Sequence, residues 1–370
     1  MLTVAGLAAV VLGSQTLAAS SPQASAVRFL LPSEGLLAGL GDGLRRGYGL
    51  AMEQSRACGI QPPSMQLGWL PPSSDPQASL GAGPRSHLVI APPAAPLRAY
   101  GRLAEQQRLH VLLPLQRGLS LEGLPQHQGA DRLWPVGPAR SQMSDRLAKG
   151  LVDQNVGKVL VVRDATAEAK AMADRFIASL GTEQGQLVGF SDGASAVDGN
   201  DRAAMEQLVR DVNAYAPRSL AVFTQPGSRL ARAIQDTSWP PDLVLAWPFP
   251  VANSLAQRQI GVDPLSRGQG WATFARSFAQ RWGYAPGVVE TAGYDTGLLT
   301  ALASVNSQGQ PGWNLAWFSN TARPEPLCQA LQRRSQGASG RPQGAGSRLD
   351  LGPAAPPTAA LRLSQAGPKP

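Results

Sequence analysis

Residues 158–190, KVLVVRDATAEAKAMADRFIASLGTEQGQLVGF, decide the fold. They open on a near-continuous apolar run, KVLVVRD (158–164), pass into a stretch with apolar residues at helical spacing (167–181), and end in a second run, QLVGF (186–190). An unbroken Val/Leu/Ile run is what a strand buried on both faces requires, and a helix between two such strands returns the chain for parallel pairing. The stretch therefore predicts a β–α–β unit.

The same alternation extends in both directions. Downstream, helical patterns at 201–215 and 228–237 separate the runs SLAVFT (219–224) and DLVLAW (242–247). Upstream stand VRFLLP (27–32), MQLGWL (65–70), HLVIAP (87–92), HVLLPL (110–115) and LWPVGP (133–138), with helical patterns at 36–57, 97–108 and 141–154. This is the signature of an α/β protein built on parallel sheets. Later the pattern changes: residues 270–283 and 291–305 are helical with no strand between them, and Pro324–Arg334 offers a third helix. Two βα halves followed by helices imply that the chain crosses between halves more than once. Near the end, SRLDL (347–351) and AALRL (359–363) alternate apolar and polar residues around GPAAPP, which predicts a closing hairpin, with residues 364–370 as a frayed tail.

Composition narrows the chemistry. The 370 residues carry 33 Lys+Arg against 25 Asp+Glu, a formal charge of +8, and only 16% are charged; average proteins reach about 25%. The basic residues form no cluster, so nucleic acid is not an expected partner. Three histidines and two cysteines are too few for a Cys/His zinc site, which needs about four ligands, or for a disulfide scaffold. Cys58 and Cys328, 270 positions apart, read as buried thiols, with pairing open to an oxidising compartment. Neither a GxxxxGK[ST] nor an HExxH motif occurs, and Gly39-Leu-Gly41-Asp-Gly43 has the wrong spacing for a dinucleotide loop. Gly189-Phe-Ser-Asp-Gly193 matches a nucleophile elbow, but His87, His110 and His127 all precede Ser191, the wrong order for that triad. The reading is a solvent loop, no cofactor, and no enzyme. The apolar run Leu2–Gly13, with Ala24-Ser25-Ala26 just before the first strand, reads as a signal peptide over residues 1–26, so a soluble periplasmic chain is expected; no Lys or Arg precedes the run.

Several segments carry a family resemblance. VRFLLPSEGLLAGLGDGLRRGYGLAMEQ (27–54), HLVIAPPAAPLRAYGRLAEQQRLHVLLPL (87–115), residues 158–190 and 202–236, and above all FARSFAQRWGYAPGVVETAGYDTGLLTALA (274–303) resemble the type I periplasmic binding proteins. That group includes the leucine/isoleucine/valine-binding, amide-binding and receptor-type ligand-binding proteins. The resemblance implies two Rossmann-like lobes with parallel sheets, joined by a three-crossover hinge that closes on a small-molecule ligand. It implies residues 27–135 plus about 252–335 for lobe 1, 136–251 plus about 336–363 for lobe 2, a monomer, and a membrane permease of an ATP-driven importer as partner. Carried over by position, Ser33, Glu34, Gly35, Pro93, Ala94, Ala95 and Gln116 would line the first lobe's side of the cleft. Asp164, Thr166, Thr224, Gln225, Trp247 and Phe249 would line the other, with the last two projecting rings into it.

Two departures bear on the ligand. The family usually places Ser or Thr after the third strand to hold an α-carboxylate; here Pro93-Ala-Ala-Pro96 stands there. It also supplies an acid for the ligand ammonium, and no Asp or Glu lies between Leu243 and Val262. The cleft is expected to be poorly charged. The alternative reading is a protein-interaction module on the same fold, like the activators of peptidoglycan synthases.

Overall fold

The computed structural model describes residues 27–71, 74–80, 86–189, 193–251, 257–305, 313 and 315–367. The predicted signal peptide, Phe190–Asp192 of the elbow motif and residues 368–370 of the predicted tail lie outside the described residues. The first sheet comprises β1 (Val27–Pro32), β2 (Met65–Leu70), β3 (Leu88–Ile90), β4 (His110–Leu113) and β5 (Leu133–Pro135). Its order is β2-β1-β3-β4-β5 and every pairing is parallel. Helices α1 (Leu36–Ala57), α2 (Pro76–Leu80) and α3 (Leu97–Gln107) connect its strands.

After α4 (Ser141–Asp153) the chain builds a second sheet from β6 (Lys158–Arg163), β7 (Gln186–Val188), β8 (Ser195–Ala196), β9 (Ser219–Phe223), β10 (Val244–Trp247) and β11 (Gln259–Asp263), with α5 (Ala167–Thr182), α6 (Arg202–Tyr215) and α7 (Arg229–Asp236) between strands. These helices start where a polar side chain caps them: Thr166, Asp201 and Ser228 each accept a backbone N–H three residues on. Helices α8 (Trp271–Trp282) and α9 (Val288–Ser304), the two-residue strand β12 (Pro324–Glu325), α10 (Leu327–Ser335) and β13 (Arg341–Pro342) come next. The last strand, β14 (Arg362–Ala366), closes the second sheet, whose order is β14-β11-β10-β9-β6-β7 with β8 also beside β6. Only the β11–β14 pairing in it is antiparallel.

Successive side chains of a strand face opposite sides, so each unbroken apolar run feeds two cores. Val159 and Val161 join Met172, Ala173 and Phe176 of α5, whereas Leu160 and Val162 join Leu208 and Val212 of α6. In the first sheet Phe29 and Leu31 pack beneath α1, α8 and α9, and Leu30 packs with Tyr100 and Leu103 of α3. Both lobes thus have helices on both sheet faces.

The closest helix contact is between α1 and α9, and glycine permits it. A Cβ on Gly47 would fall on the Glu290 carbonyl oxygen, one on Gly293 on the Leu44 carbonyl oxygen, and one on Gly297 would stand 2.6 Å from the Ala51 Cβ. Of the three glycines of the GLGDG stretch, Gly41 packs on Leu31 and Pro32, and Gly43 on Val289; the stretch is helix packing.

Four sequence expectations are corrected. Cys58 at the end of α1 and Cys328 in α10 form a disulfide rather than two buried thiols; Cys328 is exposed. Residues 259–263, placed with the first lobe, form β11 in the second sheet. The predicted hairpin does not form: Leu349 and Leu351 enter the first lobe's core, and the strand shifts to Arg362–Ala366, because Leu363 packs on the second lobe's core. Ser364–Ala366, read as tail, therefore belong to β14.

Two outcomes are expected. Thiol titration of the native protein should find no free cysteine, and Cys328→Ser should cost roughly 3–5 kcal/mol, because the bridge closes a very long loop. Gly293→Ala should destabilise by more than about 2 kcal/mol, since the added methyl meets backbone that cannot yield; thermal melts of both variants check this.

Candidate functional site

The chain passes between lobes three times: after β5 (136–140), after β11 (264–270) and after Leu351 (352–361). Each crossover contains proline, and the carbonyls of Pro138, Pro264 and Pro357 are met by side chains rather than by sheet or helix N–H groups. Arg117, just past β4, gives its Nε–H to the Pro138 oxygen of the first crossover at 2.8 Å and an Nη2–H to the Pro264 oxygen of the second at 3.3 Å. Gln142 of α4 donates to the Pro357 oxygen at 2.9 Å and accepts from the Ala359 N–H at 2.6 Å. The Ala360 N–H donates to the Ser266 hydroxyl at 2.8 Å, and the Arg267 N–H to the Ala360 oxygen at 3.1 Å. All three connections are thereby bound to one another.

Asp295 of α9 anchors, within the first lobe, the segment that leads into the third connection. It is 1% exposed, and its two carboxylate oxygens accept the N–H groups of Ala345 at 2.7 Å and Gly346 at 2.9 Å. Burial pushes its carboxyl up to about 7 despite those two bonds, which favour the charged form.

Beside the crossovers, at the carboxyl edge of the second sheet, lies a cavity of about 220 Å³. Such an edge, where helix N-termini and strand C-termini converge, is the usual ligand position in open parallel sheets. Its wall is formed by Thr166, which caps α5, with Glu168, Ala169 and Met172 of α5, Phe223 at the end of β9 and Thr224–Pro226 after it, Pro248–Pro250 after β10, Met143 of α4, and Arg117, Arg140 and Pro264 from the hinge side. Part of the wall is fixed by a hydroxyl chain. Asp164 accepts from the Thr166 N–H at 2.9 Å and its hydroxyl at 2.5 Å, and from the Thr224 hydroxyl at 2.7 Å. The Thr224 proton is thus committed, so Ser228 donates to Thr224 at 2.7 Å while accepting from the Ala231 N–H. Burial raises Asp164, but these hydrogen bonds together with the Arg163 charge outweigh it and hold the carboxyl below its ordinary value.

Thr166, Thr224, Gln225 and Phe249 of the sequence-predicted set line this cavity, with Asp164 behind them. Trp247 does not project into it: the ring is wholly buried, donates to the Gln259 side chain at 2.9 Å and backs Phe249 at a centroid distance of 5.1 Å. The β10 pleat sends Trp247 with Leu245 into the core on one face, so only Phe249, beyond the strand, reaches the cavity. Ser33, Glu34 and Gly35 are exposed at the start of α1, Pro93 and Ala95 are buried around Ala94, and the Gln116 amide donates to Ser120; none of these is in the cavity wall. Arg117, Arg140, Met143 and Met172 were missed. The one signal for Arg117 was an arginine two residues past the run HVLLPL.

The Asp295 carboxyl gives a testable pH dependence. Its folded-state value lies above the ordinary 3.8, so between about pH 4 and 7 the folded chain holds more of this proton than the unfolded chain. Stability from this group is therefore present at low pH and lost as pH rises through about 7, at up to about 1.4 kcal/mol per pH unit. Melts between pH 4.5 and 7.5 should show this slope in the wild type and a shallower one in Asp295→Asn.

No known family's sequence model matches the chain, and no curated protein matches it. Solved structures do. An ABC transporter substrate-binding protein from Desulfitobacterium hafniense superposes with a TM-score of 0.61 at 15% identity, over 91% of this chain and 96% of that one. Its counterpart in complex with leucine gives 0.57 at 14% identity, over 92% and 96%. A branched-chain amino acid ABC transporter periplasmic ligand-binding protein from Burkholderia xenovorans gives 0.55 at 12% identity, over 83% and 81%. Two parallel-sheet lobes, three tied crossovers and these whole-length superpositions agree: this chain has the type I periplasmic binding protein fold.

Proposed function

We propose that this protein is the periplasmic solute-binding component of an ATP-driven importer. It takes a small molecule into the cavity beside the hinge, closes its lobes over it and presents the closed form to a membrane permease. The lobes in this reading are residues 27–135 with 271–351, and 141–263 with 362–366. The observation that carries the proposal is the position of the cavity. A molecule there touches the second lobe through Phe249 and Thr224 and the first through Arg117, so its binding energy bears on the angle between them. The structural relatives are ABC transporter substrate-binding proteins, one of them with leucine bound, which supports a solute of similar size. Among the described residues no helix is long and apolar enough to cross a membrane, in keeping with an exported chain that meets its permease at a surface.

One observation favours the protein-interaction alternative. Of the described loops of the first sheet, the cavity wall takes Arg117 alone. Envelope pull-down separates the two readings: a permease among the captured proteins supports transport, a peptidoglycan synthase the alternative.

Thermal-shift and calorimetric titration with amino acids, amides, organic acids and short peptides tests the proposal. At least one compound should raise the melting temperature at millimolar concentration, and Phe249→Ala should weaken its binding roughly tenfold or more through lost apolar burial. A flat response across the whole panel would speak against solute binding.

A further inference from the structure

The described cavity wall has an excess of one positive charge, and the residue responsible is Arg117. Arg140 is matched, its Nη1 standing 2.6 Å from Glu168 Oε1. Arg117 donates two of its five N–H groups to the carbonyls of Pro138 and Pro264, and among the described residues no carboxylate pairs with it. Carbonyl oxygens satisfy hydrogen bonds but leave the charge uncompensated, and a largely desolvated cation without a counter-ion is costly. Burial and the neighbouring Arg140 push its guanidinium down to about 10.

Among its described residues the same wall offers no free carboxylate to an ammonium group. Asp164 already accepts three hydrogen bonds from Thr166 and Thr224, and Glu168 is held by Arg140. Much of the remaining surface is apolar, from Met143, Met172, Phe249 and Pro250.

We infer that the solute is a small monocarboxylate without an ammonium group, its carboxylate docked on Arg117 and its apolar body laid against Phe249 and the two methionines. This inference rests on the solute-binding reading above and names its ligand class. The carbonyls of Pro138 and Pro264 fix the guanidinium before the ligand arrives, so its remaining N–H groups form a fork that a planar carboxylate matches. Because those carbonyls belong to two crossovers, the ligand's charge is also coupled to the hinge. An α-amino acid would bring a second cation next to Arg117 with no free acid to receive it.

The test is calorimetry at pH 7 on the full mature chain with matched pairs, each an aliphatic or cyclic monocarboxylate and its primary amide. The pairs include 4-methylpentanoate with 4-methylpentanamide and cyclohexanecarboxylate with its amide, and leucine is added as the ammonium-bearing control. Expected is at least one acid that binds at least about tenfold more tightly than both its amide and leucine, the scale of a charge-assisted hydrogen bond. Arg117→Gln should remove that preference and Arg117→Lys restore part of it. Glu168→Gln frees Arg140 without touching the crossover ties, and should tighten acid binding severalfold even if Arg117→Gln fails to fold. Amides or leucine binding as well as the acids, or Glu168→Gln weakening acid binding, would overturn the inference while leaving solute binding intact. No binding by acids, amides or leucine, together with a flat panel response, would overturn both.

Discussion

The structure depends on how three crossing segments satisfy their backbone polar groups away from sheet and helix. Pro138, Pro264 and Pro357 each contribute a carbonyl and no N–H, so their oxygens need donors from elsewhere. Arg117 and Gln142 provide them, and the Ser266 hydroxyl receives the return N–H from Ala360. The second and third connections are also tied directly to each other, and Arg117 and Gln142 hold all three to the lobes they join.

Within each lobe the physics is different. Unbroken apolar strands feed two cores, and α1 and α9 meet backbone to backbone through Gly47, Gly293 and Gly297. The Cys58–Cys328 bridge adds a covalent tie between α1 and α10 on the same lobe. Close packing has discrete solutions and does not deform continuously. In the proposed closure each lobe would move as one body about the crossovers.

Much of this was legible in the sequence. Runs such as KVLVVRD and SLAVFT read as strands buried on both faces and form them, and the helical patterns after them begin where Thr166, Asp201 and Ser228 cap α5, α6 and α7. What was not legible was set by tertiary context. Strand β11 has only Ile260 and Val262 as large apolar residues and borrows its identity from its neighbours β10 and β14. Leu349 and Leu351 alternate as a strand would, but the first lobe's core claims both side chains, and the hairpin pattern is lost. The cavity was half legible. Thr166, Thr224 and Phe249 follow from the rule that strand ends face the ligand, whereas Trp247 obeyed the pleat and turned inward. The place of Arg117 just past a strand was legible, but its role was not, because its partners are carbonyls of segments remote in sequence.

The central claim is that a small molecule in this cavity draws the two lobes together about the tied crossovers. Small-angle X-ray scattering of the purified protein, with and without a saturating ligand found by titration, measures this directly. The account predicts a smaller radius of gyration and a shorter maximum dimension in the bound state. Identical scattering curves with the cavity demonstrably occupied would contradict it.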